Sequence, residues 1–143
     1  MPIVTYHLVR GQHSDEQLAE LLTRSSRLFA DVLDAPIDRI RAFVTETRPQ
    51  ATAVGGELVS SGATEAPFFE FLLFAGRPVE HAHRLLEGFT TLLVECLGSD
   101  RSLIRGRCQY ADPDHWAIAG VPASIVRKAE VEARAAAAAQ QTT

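Results

Sequence analysis

Residues 2–33 read PIVTYHLVRGQHSDEQLAELLTRSSRLFADVL, and most of the fold follows from them. The short apolar run Ile3–Val9 is rich in β-branched and aromatic residues, which predicts a buried strand. The segment Ser14–Gln17 has the pattern of a helix N-cap with a capping box. Leucines and other apolar residues then recur at helical spacing. The stretch therefore predicts a strand followed by an amphipathic helix.

The predicted helix ends at Asp34-Ala35-Pro36, because the residue before a proline is disfavoured in a helix. A further strand is predicted over Ile40–Glu46. The connection between the two strands is long enough to be the right-handed crossover that joins parallel strands. The first half of the chain is therefore predicted to be one β-α-β unit.

The second half of the chain repeats the first. A shift of 64 or 65 residues superposes them, pairing Pro2 with Pro67, Leu8 with Leu73, Gly11 with Gly76, Leu33 with Leu97, Ile40-Arg41 with Ile104-Arg105, and Gly56 with Gly120. Strands are accordingly predicted over Phe68–Phe74 and Leu103–Gln109. Between them a helix is predicted to hold Pro78 in its first turn and to stop at Gly98.

Two such units predict an α/β domain, with a four-stranded sheet and two helices on one of its faces. The other face must also be buried, which in a chain of 143 residues favours a symmetric oligomer. We assign residues 1–128 to one domain, with repeats at 2–62 and 67–127. Residues 129–143 form an alanine-rich tail, expected to fray or to pack on a neighbouring subunit.

Composition excludes several classes of function. The 13 arginines and the single lysine are scattered and the net charge is −4, so the basic patch of a nucleic-acid-binding protein is missing. No apolar run reaches the ~20 residues of a membrane span, and the N-terminus does not resemble a signal peptide, so we expect a cytoplasmic protein that does not bind membranes. The two cysteines lack metal-ligand spacing. We expect no metal and no cofactor.

Five segments of the first half together resemble 4-oxalocrotonate tautomerase: Ser14–Gln17, Leu33–Pro36, Ile40-Arg41, Val44–Glu46 and Gly55–Leu58. The second half repeats the likeness, most clearly in Gly76-Arg77, Ile104-Arg105, His115–Gly120 and Ala123–Arg127. The chain is thus similar to the tautomerase superfamily. Its double repeat resembles the trimeric members cis-3-chloroacrylic acid dehalogenase and malonate semialdehyde decarboxylase. The resemblance implies the MIF-like tautomerase fold, a homotrimer, a small carboxylate substrate and an N-terminal proline as base.

Pro2 is the first candidate catalytic residue. A small residue after Met1 favours removal of the initiator, which leaves Pro2 with a free secondary amine. In an apolar pocket near arginines the charged form of that amine would be disfavoured, so its pKa would fall and it could act as a base near neutral pH. The alternative is a proline that serves only Met1 removal or the start of a strand.

Arg77 is the second candidate, because Gly76-Arg77-Pro78 places a guanidinium between a strand and a helix, where it could hold a carboxylate bidentately. The resemblance implies that an arginine after this glycine binds or polarises the substrate carboxylate. The first repeat has Gln12 instead, which suggests one active site per chain, at Pro2. The alternative is a solvated arginine beside a helix start.

The remaining candidate substrate-binding residues are Arg41, Phe74, Arg105, Arg107 and Trp116. Arg41 and Arg105 match a second arginine of the family, and Arg107 shares a strand face with Arg105, so one of them is expected to reach a neighbouring subunit's pocket. Surface or interface ion pairs are the alternative. Trp116 matches an aromatic residue of the family's pocket wall; ordinary core or interface packing is its alternative.

These residues favour a cofactor-independent tautomerase that moves a proton within a small unsaturated or 2-oxo acid. Alternatives are a hydratase, dehalogenase or decarboxylase with Pro2 as general acid, an inactive trimeric binding protein of the same fold, or a ferredoxin-like domain with antiparallel strands. Two departures argue against hydrolytic dehalogenation, because Phe29 and Phe74 stand where the dehalogenase has a histidine and the first of two arginines.

Overall fold

The computed structural model describes residues 2–141. Its strands are β1 Ile3–Val9, β2 Arg41–Thr47, β3 Ala53–Val54, β4 Glu57–Leu58, β5 Phe68–Phe74, β6 Arg105–Ala111, β7 Ala117–Ile118 and β8 Val121–Pro122. Its α-helices are α1 Asp15–Leu33, α2 Val79–Leu97, α3 Ala123–Val126 and α4 Lys128–Gln141. Within this range no helix combines the length and the apolar character needed to cross a membrane.

The main sheet has four strands in the order β2-β1-β5-β6. β1 pairs in parallel with β2, and β5 pairs in parallel with β6, each pair being bridged by one long helix. The two β-α-β units join through the antiparallel pairing of β1 with β5. Both long helices contribute their buried residues to one core on one face of the sheet. The predicted architecture of two β-α-β units is confirmed.

Alternate residues of the two central strands form the buried face of the sheet. These are Val4, Tyr6 and Leu8 in β1 and Phe69, Phe71 and Leu73 in β5. They pack against the apolar stripes of α1 and α2, where Phe89 lies with its ring centroid 5.8 Å from that of Phe69. Each large apolar side chain buried in this way stabilises the fold by about 1.5–3 kcal/mol.

The predicted strand boundaries hold for the central strands and shift at the outer ones. β1 and β5 have the predicted bounds, whereas β2 begins at Arg41 and β6 at Arg105. The shift arises because Ile40 and Ile104 each close a 3-10 turn instead of entering the sheet. The amide of Ile40 donates to the carbonyl of Ile37 at 3.1 Å, and that of Ile104 donates to the carbonyl of Arg101 at 3.3 Å.

The ends of both long helices are fixed by local hydrogen bonds. At the start of α1 the amide of Gln17 donates to Ser14 Oγ at 3.1 Å, while the amide of Ser14 donates to Gln17 Oε1 at 2.9 Å, so the predicted capping box is present. Asp34 is the C-cap of α1 and Gly98 that of α2, and both are in the left-handed conformation. Pro78 immediately precedes α2 rather than lying inside it.

The second face of the sheet is open to solvent in the single chain. It carries His7, Glu70 and Arg107. The carboxylate of Glu70 lies 2.9 Å from His7 Nε2, and it accepts a hydrogen bond of 3.1 Å from Arg107 Nη2. The Arg107 guanidinium holds the pKa of Glu70 below its ordinary value. Phe43 on β2 is half exposed. This mixture of apolar and charged groups resembles a protein interface more than a purely solvated surface.

The C-terminal tail forms α4, whose five consecutive alanines favour helix. Near its start Glu130 accepts two hydrogen bonds from the Arg39 guanidinium, at 3.1 and 3.2 Å. The described part of the tail therefore packs on its own chain, where we expected fraying or contact with a neighbouring subunit. Thr142 and Thr143 lie outside the described residues.

The hydroxyls of Tyr6 and Ser25 form the most deeply buried polar pair of this core, 2.6 Å apart with both residues fully buried. We expect Ser25→Ala to lower the free energy of unfolding by about 1–3 kcal/mol, because it leaves the tyrosine hydroxyl without a partner. Tyr6→Phe combined with Ser25→Ala should recover most of this loss. Urea denaturation at fixed protein concentration measures both variants. A double variant less stable than Ser25→Ala would contradict this account.

Candidate active site

Pro2 lies at the start of the central strand β1, and the antiparallel pairing places it beside the end of β5. Ile3 pairs with Leu72, so Pro2 is adjacent to the residues that leave β5 for the turn before Arg77. On its other side the carbonyl of Pro2 accepts a hydrogen bond of 3.1 Å from the amide of Arg41. Both β-α-β units therefore contribute to the surroundings of Pro2.

Pro2 lines a small pocket with a cavity volume of about 30 Å³. The lining residues come from the two repeats and from α4; they are Pro2, Leu33, Ala35, Arg39, Leu73, Phe74, Arg77, Ile118, Arg127, Glu130 and Arg134. The pocket thus combines an apolar wall with several charged side chains, the composition expected of a site for a small organic anion.

The apolar wall is formed mainly by Leu33, Leu73, Phe74 and Ile118. Phe74 is supported by Trp116, whose ring packs edge to face on it with the centroids 6.2 Å apart. Trp116 itself is not among the lining residues, so in the single chain it contacts the pocket through Phe74. These side chains give the Pro2 pocket one apolar side.

Arg77 reaches the same pocket from the turn after β5. Its backbone position depends on Gly76, which has a positive φ of 100° that other residues rarely adopt. The guanidinium donates to the carbonyl of Leu33 at the end of α1, at 3.2 Å. Burial, and to a smaller extent the nearby Arg134, lower the pKa of Arg77 to about 10, so the side chain remains charged at neutral pH.

Helix α4 adds charged residues that the sequence did not lead us to expect at this site. Glu130 is held by Arg39 through two hydrogen bonds, and Arg39 keeps the pKa of this carboxyl below its ordinary value. Arg134 lies one helical turn further on, with its side chain 22% exposed. The lining residues of the pocket thus include four guanidinium groups and one carboxylate, those of Arg39, Arg77, Arg127, Arg134 and Glu130. This excess of positive charge favours an anionic ligand.

The other predicted arginines lie outside this pocket in the single chain. Arg41 donates to the carbonyls of Asp38 and Ile40, and Arg105 makes the equivalent bonds to Ser102 and Ile104. Arg107 is bound to Glu70 on the open sheet face. All three belong to the outer strands β2 and β6. Their expected role in a neighbouring subunit's pocket stays a prediction.

A second pocket is related to this one by the internal repeat, although Pro67, the counterpart of Pro2, is not among its lining residues. It is lined by Gln12, Leu97 and Ser99, the counterparts of Arg77, Leu33 and Ala35. A nearly buried hydrogen bond joins two of its lining residues, with His13 Nε2 2.7 Å from Glu65 Oε1. Pro67 is fully buried, and its nitrogen is an amide nitrogen that cannot accept a proton. The two pockets therefore differ chemically.

Sequence reasoning missed Arg39, Arg127, Glu130 and Arg134. Arg127 ended a segment of the family resemblance without being assigned a role. The spacing of Glu130 and Arg134 by four residues predicts only a pair on one helix face. Nothing in the sequence places α4 beside Pro2, because α4 has no counterpart in the internal repeat.

Comparison with known proteins gives concordant matches. The family model described as tautomerase enzyme matches residues 2–62. The 2-hydroxymuconate tautomerase of Pseudomonas sp. (strain CF600) is 37% identical over 60 residues, which cover 42% of this chain and 94% of that protein. That relative thus corresponds in length to a single repeat.

Two solved structures match nearly the whole chain. Native fused 4-OT superposes with a TM-score of 0.81 and 25% identity, covering 87% of this chain and 98% of that one. A fused 4-OT described as a symmetric trimer superposes with a TM-score of 0.76 and 22% identity, over the same shares of the two chains. Together these two structures cover both repeats.

Proposed function

The chain belongs to the tautomerase family, and we propose that it is a cofactor-independent tautomerase of small unsaturated or 2-oxo carboxylic acids. Membership of this family makes it an enzyme of the isomerase type. The proposed general base is the amine of Pro2 after removal of Met1. The observation that carries the proposal is that Pro2 and Arg77 line one small pocket with an excess of positive charge.

The surroundings of Pro2 suit a base. Apolar neighbours such as Leu73 and Phe74 solvate an ammonium ion poorly, and the guanidinium of Arg77 repels a second positive charge. Both effects favour the neutral amine, which is the form that accepts a proton. In the proposed reaction the enol hydroxyl gives its proton to the Pro2 nitrogen. The resulting ammonium returns a proton to a substrate carbon, which yields the ketone and regenerates the amine.

We assign the substrate carboxylate to Arg77. A guanidinium binds a carboxylate through two parallel hydrogen bonds, and it also stabilises the negative charge that develops on the enolate. Its bond to the Leu33 carbonyl leaves further N–H groups for this role. Phe74, supported by Trp116, would hold the unsaturated part of the substrate.

Trimer formation is part of the proposal. The open sheet face, with Phe43 half exposed and Glu70 bound to both His7 and Arg107, provides the surface for contact between subunits. Arg41 and Arg105 lie on the outer strands, from which either could enter a neighbouring subunit's pocket. A related fused 4-OT is a symmetric trimer, which supports this arrangement.

Phe29 argues against a dehalogenase mechanism that needs a histidine at this position. It is fully buried in the core, where its ring packs edge to face on Phe71 and Phe89. A hydrophobic ring in this environment has no access to substrate. The observations therefore favour proton transfer without attack by an activated water.

The trimer is tested by sedimentation velocity. We expect a single species with three times the chain mass of 15.6 kDa at micromolar concentration. Replacing half-exposed Phe43 with aspartate should shift the distribution towards smaller species, because the substitution puts a charge into the proposed interface. A wild-type protein that stays monomeric at all concentrations would contradict the trimer.

The base is tested by blocking its nitrogen. The same preparation is assayed before and after removal of an N-terminal extension, with 2-hydroxymuconate and enolic phenylpyruvate as probes. We expect the extended form to lose at least about 100-fold in kcat/KM, because an amide nitrogen cannot accept a proton. Pro2→Ala with a free N-terminus should keep a weak activity, since a primary amine then occupies nearly the same place.

Two controls complete this experiment. Circular dichroism and sedimentation must be the same for both forms, which separates a blocked base from a damaged fold. Equal activity of the extended and the free protein would show that Pro2 is not the base.

A further inference from the structure

Helix α4 covers the Pro2 pocket in its own chain, and it is not part of the internal repeat. We propose that Arg134 of this helix is a substrate-binding residue that selects for a carboxylate, acting beside Arg77. The inference rests on the proposed function for the identity of the substrate. It assigns a specificity role to a segment that sequence analysis treated as an appendage.

The position of Arg134 follows from a close approach of α4 to the turn before Arg77. A Cβ atom built on Gly76 would lie 3.7 Å from Cβ of Arg134, so the helix packs directly on this turn. Arg77 and Arg134 consequently line the same cavity as Pro2. Burial first, and then the charge of Arg134, lower the pKa of Arg77.

The Arg134 guanidinium has hydrogen-bonding capacity to spare. Its nearest acidic oxygen is Glu130 Oε2 at 3.9 Å, which is too far for a hydrogen bond. Glu130 instead binds Arg39 through both carboxylate oxygens. Within residues 2–141 no side chain accepts a hydrogen bond from Arg134. Arg134 is a half-buried cation without such a partner, and a bound carboxylate would supply the missing hydrogen-bond acceptor.

The pair of Arg39 and Glu130 positions this group. It ties the first turn of α4 to the 3-10 turn Ile37–Arg39, which directly precedes β2. Since Arg134 follows Glu130 by one helical turn, the tie fixes its distance from the pocket. Glu130 and Arg39 are therefore positioning residues, and Arg134 is the group that contacts the ligand.

Binding of an unreactive acid tests this assignment without any turnover. Crotonate and its uncharged analogue crotonamide are titrated by isothermal titration calorimetry into the protein from which Met1 has been removed. For Arg134→Ala we expect about tenfold or greater weakening of crotonate binding, with crotonamide changed less than about twofold. Arg134→Lys should fall between the wild type and the alanine variant. Arg77→Ala serves as the reference for loss of a carboxylate-binding group.

Lys128→Ala is the matched control. Lys128 lies on the same helix and its removal changes the net charge equally, but its side chain is 74% exposed and does not line the pocket. It should bind crotonate like the wild type. Unchanged crotonate binding by Arg134→Ala, an equal loss in Lys128→Ala, or an equal loss for crotonamide would each overturn the inference.

The two proposals fail separately in this design. A protein without tautomerase activity that still needs Arg134 to bind crotonate would contradict the proposed function and support the inference. A protein that is active, but in which Arg134→Ala binds crotonate normally, would overturn the inference alone.

Discussion

The antiparallel pairing of β1 with β5 is the contact on which the site depends. Within each β-α-β unit the two strands are parallel, so both strands begin at one end of the sheet and finish at the other. Joining two units in opposite directions brings the start of β1 next to the end of β5, and hence Pro2 next to Arg77. The proposed base, Pro2, and the proposed carboxylate-binding residue, Arg77, thus meet without any long loop. In the pocket related to this one by the internal repeat, Gln12 stands in place of Arg77, and the nitrogen of Pro67, the counterpart of Pro2, is an amide.

The fold could be predicted because its determinants are local and occur twice. Ser14 and Gln17 cap one helix, Gly98 ends the other, and the alternating residues of β1 and β5 define the buried face. The outer strands were displaced because Ile40 and Ile104 close 3-10 turns, a preference that apolar patterning does not reveal. Among the site residues, Pro2, Phe74 and Arg77 were identified from the sequence and lie together. The contributions of Glu130 and Arg134 could not be predicted, since they depend on where α4 packs and not on any pattern within it.

Electrostatics gives the pocket its chemical character. Four guanidiniums and one carboxylate in a cavity with apolar walls favour an anion, and they also oppose protonation of the amine beside them. Both effects serve the proposed reaction, in which a carboxylate would be held next to an amine whose neutral form is favoured. Burial lowers the pKa of Arg77 to about 10, which still leaves it charged throughout the range in which the amine would act.

The central claim is that Pro2 carries a basic, nucleophilic amine in this pocket, and covalent labelling tests it most directly. The protein without Met1 is treated with 3-bromopropiolate, a small carboxylate that alkylates such an amine. The product is then studied by intact-mass and peptide mass spectrometry. The account predicts one label per chain, located on Pro2, and no label there when an N-terminal extension is retained. Labelling confined to the half-buried Cys108 or to the buried Cys96, with Pro2 unmodified, would contradict it.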